Sequence, residues 1–202
     1  MIVIDYPEHS KVKSGLYKLS EDDSLRDGVA ISGLAGITGF GVDKWRSGLK
    51  YRKEVTELDT LLSWIESLVP FISHGMSRRE SKPESDVKYL KEALKQDPVN
   101  FGGGEEYGFD PYGFSLYECW FVTYNKGSGL PSHNHFPYPL TFVYYLNTPK
   151  GCSPIIVNGQ EHNIREGQLI MFNGHHEHSV PESKVDGRAV ITGVFAYDRA
   201  RE

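Results

Sequence analysis

From residue 116 onward the chain is a succession of short apolar runs cut by turn residues, and this pattern narrows what it can fold into. SLYECWFVTY, PLTFVYYLN, SPIIV, QEHNI, QLIMFN and RAVITGVFAY are each of strand length and rich in β-branched and aromatic residues. Asn158-Gly159, between SPIIV and QEHNI, is the signature of a two-residue hairpin, whose turn needs positive φ at both positions. Several short strands in series, preceded by helical segments, predict a β-barrel or sandwich with helices packed on its outside.

The first hundred residues supply those helices. Val55, Leu58, Leu61, Leu62, Ile65, Leu68 and Val69 recur at helical spacing and form a stripe that should face a sheet. A second helix is expected from Pro83 to Gln96, with Ser81 and Glu84 in capping-box spacing and Pro98 beyond its end. MIVIDY reads as a short strand, whereas GLAGITGFG has no clear placement. Residues 100–114, NFGGGEEYGFDPYGF, have no period and read as a loop, either a surface connection or a binding segment. The expected organisation is one domain over 1–202, with 1–100 as a strand and helical support layer and 116–198 as the core.

The formal charge of −5, with no basic stripe, argues against a nucleic-acid partner. No apolar run reaches the roughly 18–20 residues that cross a bilayer. The N-terminus is too short and too acidic for a signal peptide. Cys119 and Cys152 form no CxxC pair, so a disulfide framework is not expected and a reduced, cytoplasmic location is. Oligomeric state cannot be read.

Six of the eight histidines fall between residues 133 and 178, and five of them, His133, His135, His175, His176 and His178, lie in or beside turns. His133 and His135 form an H-x-H pair just before a strand, and residues i and i+2 of an extended chain share one side. Two imidazoles so placed can reach one ion. His178 follows QLIMFN in HHEHSVP, and a neighbouring strand could bring it to the same ion. Three ligands would leave coordination positions open for substrate and O₂. His176 competes with His178 for the distal place; the spacing to Arg188 and the following SVP turn favour His178. For His9, His74 and His162 the expectation is an ordinary surface or hydrogen-bonded histidine.

Arg188 opens RAVITGVF. If it enters a barrel it needs a carboxylate, which its planar fork grips in bidentate fashion; a dicarboxylate co-substrate would supply one. Thr141, Val143 and Tyr145 share one face by alternation. If that face points inward, Thr141 and Tyr145 offer hydroxyls to a bound acid. Tyr124 lies nine residues before His133.

In this order, VTYNKGSGLPSHNH, TFVYYLN, GQLIMFNGHHEHSVP and GRAVITGVFAYD resemble the 2-oxoglutarate/Fe(II)-dependent oxygenases, particularly their prolyl-4-hydroxylase-like branch. The resemblance covers roughly residues 116–198. It implies a double-stranded β-helix (jelly-roll) barrel, His133 and His178 as metal ligands, and Arg188 on the distal carboxylate of 2-oxoglutarate, with Tyr124 and Tyr145 as hydroxyl partners. The implied cofactor is Fe(II), the co-substrate 2-oxoglutarate, and the activity hydroxylation of a small-molecule or peptide substrate. Two positions depart from the family. His135 stands where the family carries Asp or Glu, so the ligand set is neutral rather than singly negative, unless His135 does not ligate. Val190 stands where Ser or Thr is frequent. A group of bacterial and phage oxygenases similarly has H-x-H before a YYL strand and a tryptophan on the preceding strand, here Trp120.

Two other readings stay open. Gly127-x5-His133-x-His135 is similar to the start of the first cupin motif, which would make this a histidine-ligated metalloprotein that does not use 2-oxoglutarate. However, FPYPLTFVYYL lacks the acid that motif carries next. The third reading is a barrel without enzymatic activity.

Overall fold

The computed structural model describes residues 1–21, 36–38, 51–77 and 114–197. Within them the elements run β1 (Ile2–Asp5), α1 (His9–Glu21), β2 (Gly36–Thr38), α2 (Thr56–Ser77), β3 (Phe114–Tyr124), β4 (Leu130–His133), β5 (Leu140–Asn147), β6 (Ile155–Val157), β7 (Gln160–His162), β8 (Gln168–Asn173), β9 (His178–Val180) and β10 (Arg188–Tyr197). The strands form a six-stranded sheet in the order β1-β8-β5-β10-β3-β2 and a four-stranded sheet in the order β4-β9-β6-β7. Every pairing is antiparallel. This is the mainly β, jelly-roll architecture expected from the sequence, with helices on the outside of one sheet.

Alternation along the large sheet divides its side chains between two cores. Leu140, Phe142, Tyr144 and Leu146 of β5 face outward, with Leu169 and Met171 of β8 and Cys119 and Phe121 of β3. Leu58, Leu61, Leu62, Ile65 and Leu68 of α2 close over that face, each with no exposure. Burying each of these side chains stabilises the layer by roughly 1.5–3 kcal/mol. His9 of α1 ties the layer down: its Nδ1 lies 2.5 Å from the Tyr144 hydroxyl and its Nε2 3.1 Å from Glu166. His9 is therefore the hydrogen-bonded histidine expected of it.

The inner core joins the two sheets. Val122, Tyr124, Val143, Tyr145, Ile170, Phe172 and Val190 of the large sheet meet Ile155, Val157 and Val180 of the small one. Strand register arranges the inner face in rows. Glu118, Val194, Thr141 and Phe172 are cross-strand neighbours; Trp120, Thr192, Val143 and Ile170 form the next row. Val122, Val190 and Tyr145 follow, and Tyr124 pairs with Arg188 at the far end.

The Asn158-Gly159 turn joins β6 to β7, with φ of 48° and 77° as the hairpin requires. The helix drawn from Val55–Val69 is found and extends to Ser77. Two elements were not read from the sequence: α1, and the short β2 inside GLAGITGFG, which pairs with β3. The helix expected at 83–96 and the loop expected at 100–114 lie outside the described residues, except Phe114, which opens β3. Among the described residues no helix is long and apolar enough to cross a membrane.

Candidate metal and carboxylate site

β4 and β9 pair through His133 and His178, so two of the candidate ligands are direct cross-strand neighbours. His178 is the first residue of a strand rather than part of a turn, as the HHEHSVP pattern had suggested. Their rings stand 4.2 Å apart, centroid to centroid. His135 lies just past β4 and joins them, 5.3 Å from the His133 ring and 5.0 Å from the His178 ring. The three imidazoles present ligand nitrogens within 4.8 Å of one another, an arrangement that could hold one metal ion.

Backbone contacts fix the tautomers. His133 Nδ1 donates to Pro131 O at 2.9 Å, and His178 Nδ1 donates to His176 O at 3.1 Å. A carbonyl only accepts, so the protons sit on Nδ1 and both Nε2 lone pairs are free for a metal. Burial, opposed by the bond to His176 and aided by His133, pushes His178 down to about 4. Burial, with His178 and His133 beside it, pushes His135 down to about 3. Both rings are thus neutral at neutral pH, the form that binds metal.

The loop carrying His135 is held by its backbone. His135 N donates to Gly174 O at 2.7 Å, and Tyr138 N to His135 O at 2.8 Å. Trp120 lies beside His135 at 5.6 Å, and Phe172 meets His178 edge-on at 5.0 Å. His176 does not join the triad. Its ring stacks parallel to Phe172 at 6.3 Å and its Nδ1 is buried without a partner among the described residues. Between the two rivals for the distal place, the structure brings His178 to the H-x-H pair.

Arg188 is buried to 1% exposure at the opposite end of the inner face. Its guanidinium carbon lies 4.4 Å from the Tyr124 ring centre and 5.5 Å from that of Tyr145. Asp186, two residues before it, accepts from Lys126 N at 2.8 Å. Arg188 Nε and Nη1 and the Tyr145 hydroxyl are buried and find no hydrogen-bond partner among the described residues. A buried guanidinium with two of its three nitrogens left without an acceptor carries a large desolvation cost. The arrangement therefore fits an anion that enters from solution. Burial raises the Tyr124 and Tyr145 hydroxyls against the opposing pull of Arg188, so both are protonated donors. Thr141 faces the same interior, but its Oγ1 donates to Gly193 O at 2.9 Å, so its proton serves the sheet.

Two features of the site were not read from the sequence. Glu177 bridges the ligand-bearing segments through Asn134 and Ser132. Their alternation with His133 and His135 was the available signal. Glu118 shares the inner face with Trp120 and Tyr124, which its two-residue spacing could have shown.

Comparison with known proteins agrees with this fold. The model of the aspartyl/asparaginyl β-hydroxylase family matches residues 106–195, less than half of the chain. No curated protein matches in sequence. Among solved structures, the chain is similar to a prolyl hydroxylase from Trichoplax adhaerens in complex with a hypoxia-inducible factor peptide. The TM-score is 0.53 at 15% identity, over 98% of this chain and 83% of that one. It is also similar to a prolyl-4-hydroxylase from Pseudomonas putida, with a TM-score of 0.51 at 14% identity, over 96% of this chain and 91% of that one. At such identity the structures speak for the fold. The family match supports the resemblance read from the sequence to the 2-oxoglutarate/Fe(II) oxygenases, and the prolyl hydroxylases share the fold.

Proposed function

We propose that this chain is an Fe(II)- and 2-oxoglutarate-dependent oxygenase that hydroxylates a small-molecule or peptide substrate. The observation that carries the reading is Arg188, a guanidinium with unpaired donors inside the same barrel that gathers the three histidines. A histidine-ligated metalloprotein that binds no acid gains nothing from such a group, and neither does a barrel kept only for its shape.

His133, His135 and His178 would hold the iron through ring nitrogens. Arg188 would take the distal carboxylate of 2-oxoglutarate, with the hydroxyls of Tyr124 and Tyr145 as further donors. Val190 supplies no hydroxyl, so the grip rests on those groups. When bound, iron supplies the oxygen-activating redox chemistry, coupled to decarboxylation of 2-oxoglutarate to succinate and CO₂. The protein's own part is to bind, orient and exclude water. The apolar rows of Val122, Val143 and Val190 lie between the arginine end and the histidine end and keep that stretch dry.

The test is succinate formation from 2-oxoglutarate, measured with and without added Fe(II) and in His178→Ala. The reading expects iron-dependent turnover that the substitution abolishes. Equal turnover in the variant would contradict the ligand assignment.

A further inference from the structure

Glu118 lies on the inner face of β3, two residues from Trp120 in the direction away from Arg188. Two residues along a strand span roughly 6.6 Å, and Trp120 itself packs beside His135. The carboxylate therefore stands one side-chain row from the candidate metal ligands. Its cross-strand row ends in Phe172, which touches His178.

Glu118 is half-buried, and it has neither ion pair nor hydrogen bond to its carboxylate among the described residues. Burial raises its pKa, the mark of a carboxylate short of compensation. Tyr117 adjoins it on β3, and the Tyr117 and Tyr138 rings lie 5.0 Å apart. The Tyr138 hydroxyl is pushed up to about 12 by burial, by its bond to Tyr117 and by the charges of Tyr117 and Glu118, so Tyr138 lies within the field of Glu118. A half-buried carboxylate with no counter-charge among the described residues, on the same sheet face as Trp120, suits a positive charge. The acid supplies the Coulomb attraction, and Trp120, one row along the same face, offers a ring for cation–π attraction.

We infer that Glu118 is a specificity-determining residue and that the substrate carries a cationic group, a guanidinium or ammonium, held by this carboxylate beside Trp120. This deepens the oxygenase reading and rests on it for the word substrate; the cation site itself stands on Glu118 and its neighbours. A group held there brings the carbon atoms next to it toward the histidine end of the barrel.

The experiment is isothermal titration of the full chain with N-acetyl-arginine amide and N-acetyl-lysine amide, against the neutral isostere N-acetyl-citrulline amide. It is run on the wild type, Glu118→Gln and Glu118→Asp, with thermal unfolding as the check on folding. The inference expects the arginine or lysine probe to bind the wild type about tenfold or more tighter than citrulline, a ratio set by one charge-assisted contact. That preference should vanish in Glu118→Gln and partly survive in Glu118→Asp. Equal affinities in the wild type, no binding of either cation, or a preference that persists in Glu118→Gln would overturn it. Because the readout needs neither turnover nor 2-oxoglutarate, its failure is distinct from failure of the oxygenase reading, which is tested through Arg188 and His178.

Discussion

Glu177 Oε1 accepts a hydrogen bond from Asn134 Nδ2 at 2.5 Å, and this contact joins the segment that carries His133 and His135 to the strand that begins with His178. Ser132 Oγ donates to the other carboxylate oxygen at 3.1 Å. The polar residues that alternate with the candidate ligands thus lock the two halves of the triad together from the solvent side. Glu177 touches no ligand nitrogen and acts by positioning.

Glu177→Ala is expected to weaken metal binding by about 10–100-fold, the usual effect of losing a group that orients ligands. Because the bridge is exposed, unfolding stability should fall by less than about 1 kcal/mol. Competition titration of Mn(II) against a chelator, together with urea unfolding, separates the two effects. An equal loss in both would mean that Glu177 only holds up the fold.

Arg188→Met removes the buried charge while keeping most of the volume. Without an acid bound, the wild type bears the cost of an uncompensated guanidinium. The variant should therefore melt at the same temperature as the wild type or higher, and yet bind 2-oxoglutarate at least about a hundredfold more weakly, as loss of a bidentate charge-assisted pair implies. Thermal unfolding and equilibrium binding to the Mn(II)-loaded protein check both halves.

Gly174 packs its Cα against the loop that carries His135. A Cβ at this position would overlap the Tyr138 carbonyl oxygen in hard contact. Gly174 O also accepts from His135 N. Gly174→Ala should cost about 1–3 kcal/mol, the range of forced overpacking, and should loosen the metal as well, because the displaced backbone is the one that places His135. Urea unfolding and metal affinity measured on the same sample test the coupling.

Glu166 gives a pH dependence remote from the site. Burial raises its carboxyl, but hydrogen bonds from Lys13 at 2.8 Å and from His9 outweigh this and leave its pKa below the usual value. A depressed acid adds stability above its unfolded pKa, near 4.3, and loses that contribution as pH falls through the folded value. Glu166→Gln should therefore cost well under about 1 kcal/mol at pH 7, since the group is a third exposed. As pH falls through that lower folded value, the variant and the wild type should converge. Unfolding curves between pH 3 and 7 measure the difference.

The β-core was legible because short-range chemistry specifies it. Asn158-Gly159 needs positive φ, and period-2 alternation puts Tyr145 inside and Tyr144 outside. The pairing of His133 with His178 spans 45 residues and depends on β4 and β9, strands of four and three residues that are too short to show a period. Burial of Arg188 is likewise a tertiary property. The sequence posed the choice between interior and solvent, and cross-strand pairing with Tyr124 decides it. Glu118 was missed because an acid in an apolar run reads as a solvent-facing position until the faces of β3 are assigned.

Anaerobic titration of the Fe(II)-loaded protein with 2-oxoglutarate, followed by visible absorption, tests the union of triad and arginine most directly. The account predicts a weak charge-transfer band that saturates at one equivalent per chain and is lost in Arg188→Met at the same concentration. No band in the wild type, or an equal band in the variant, would contradict it.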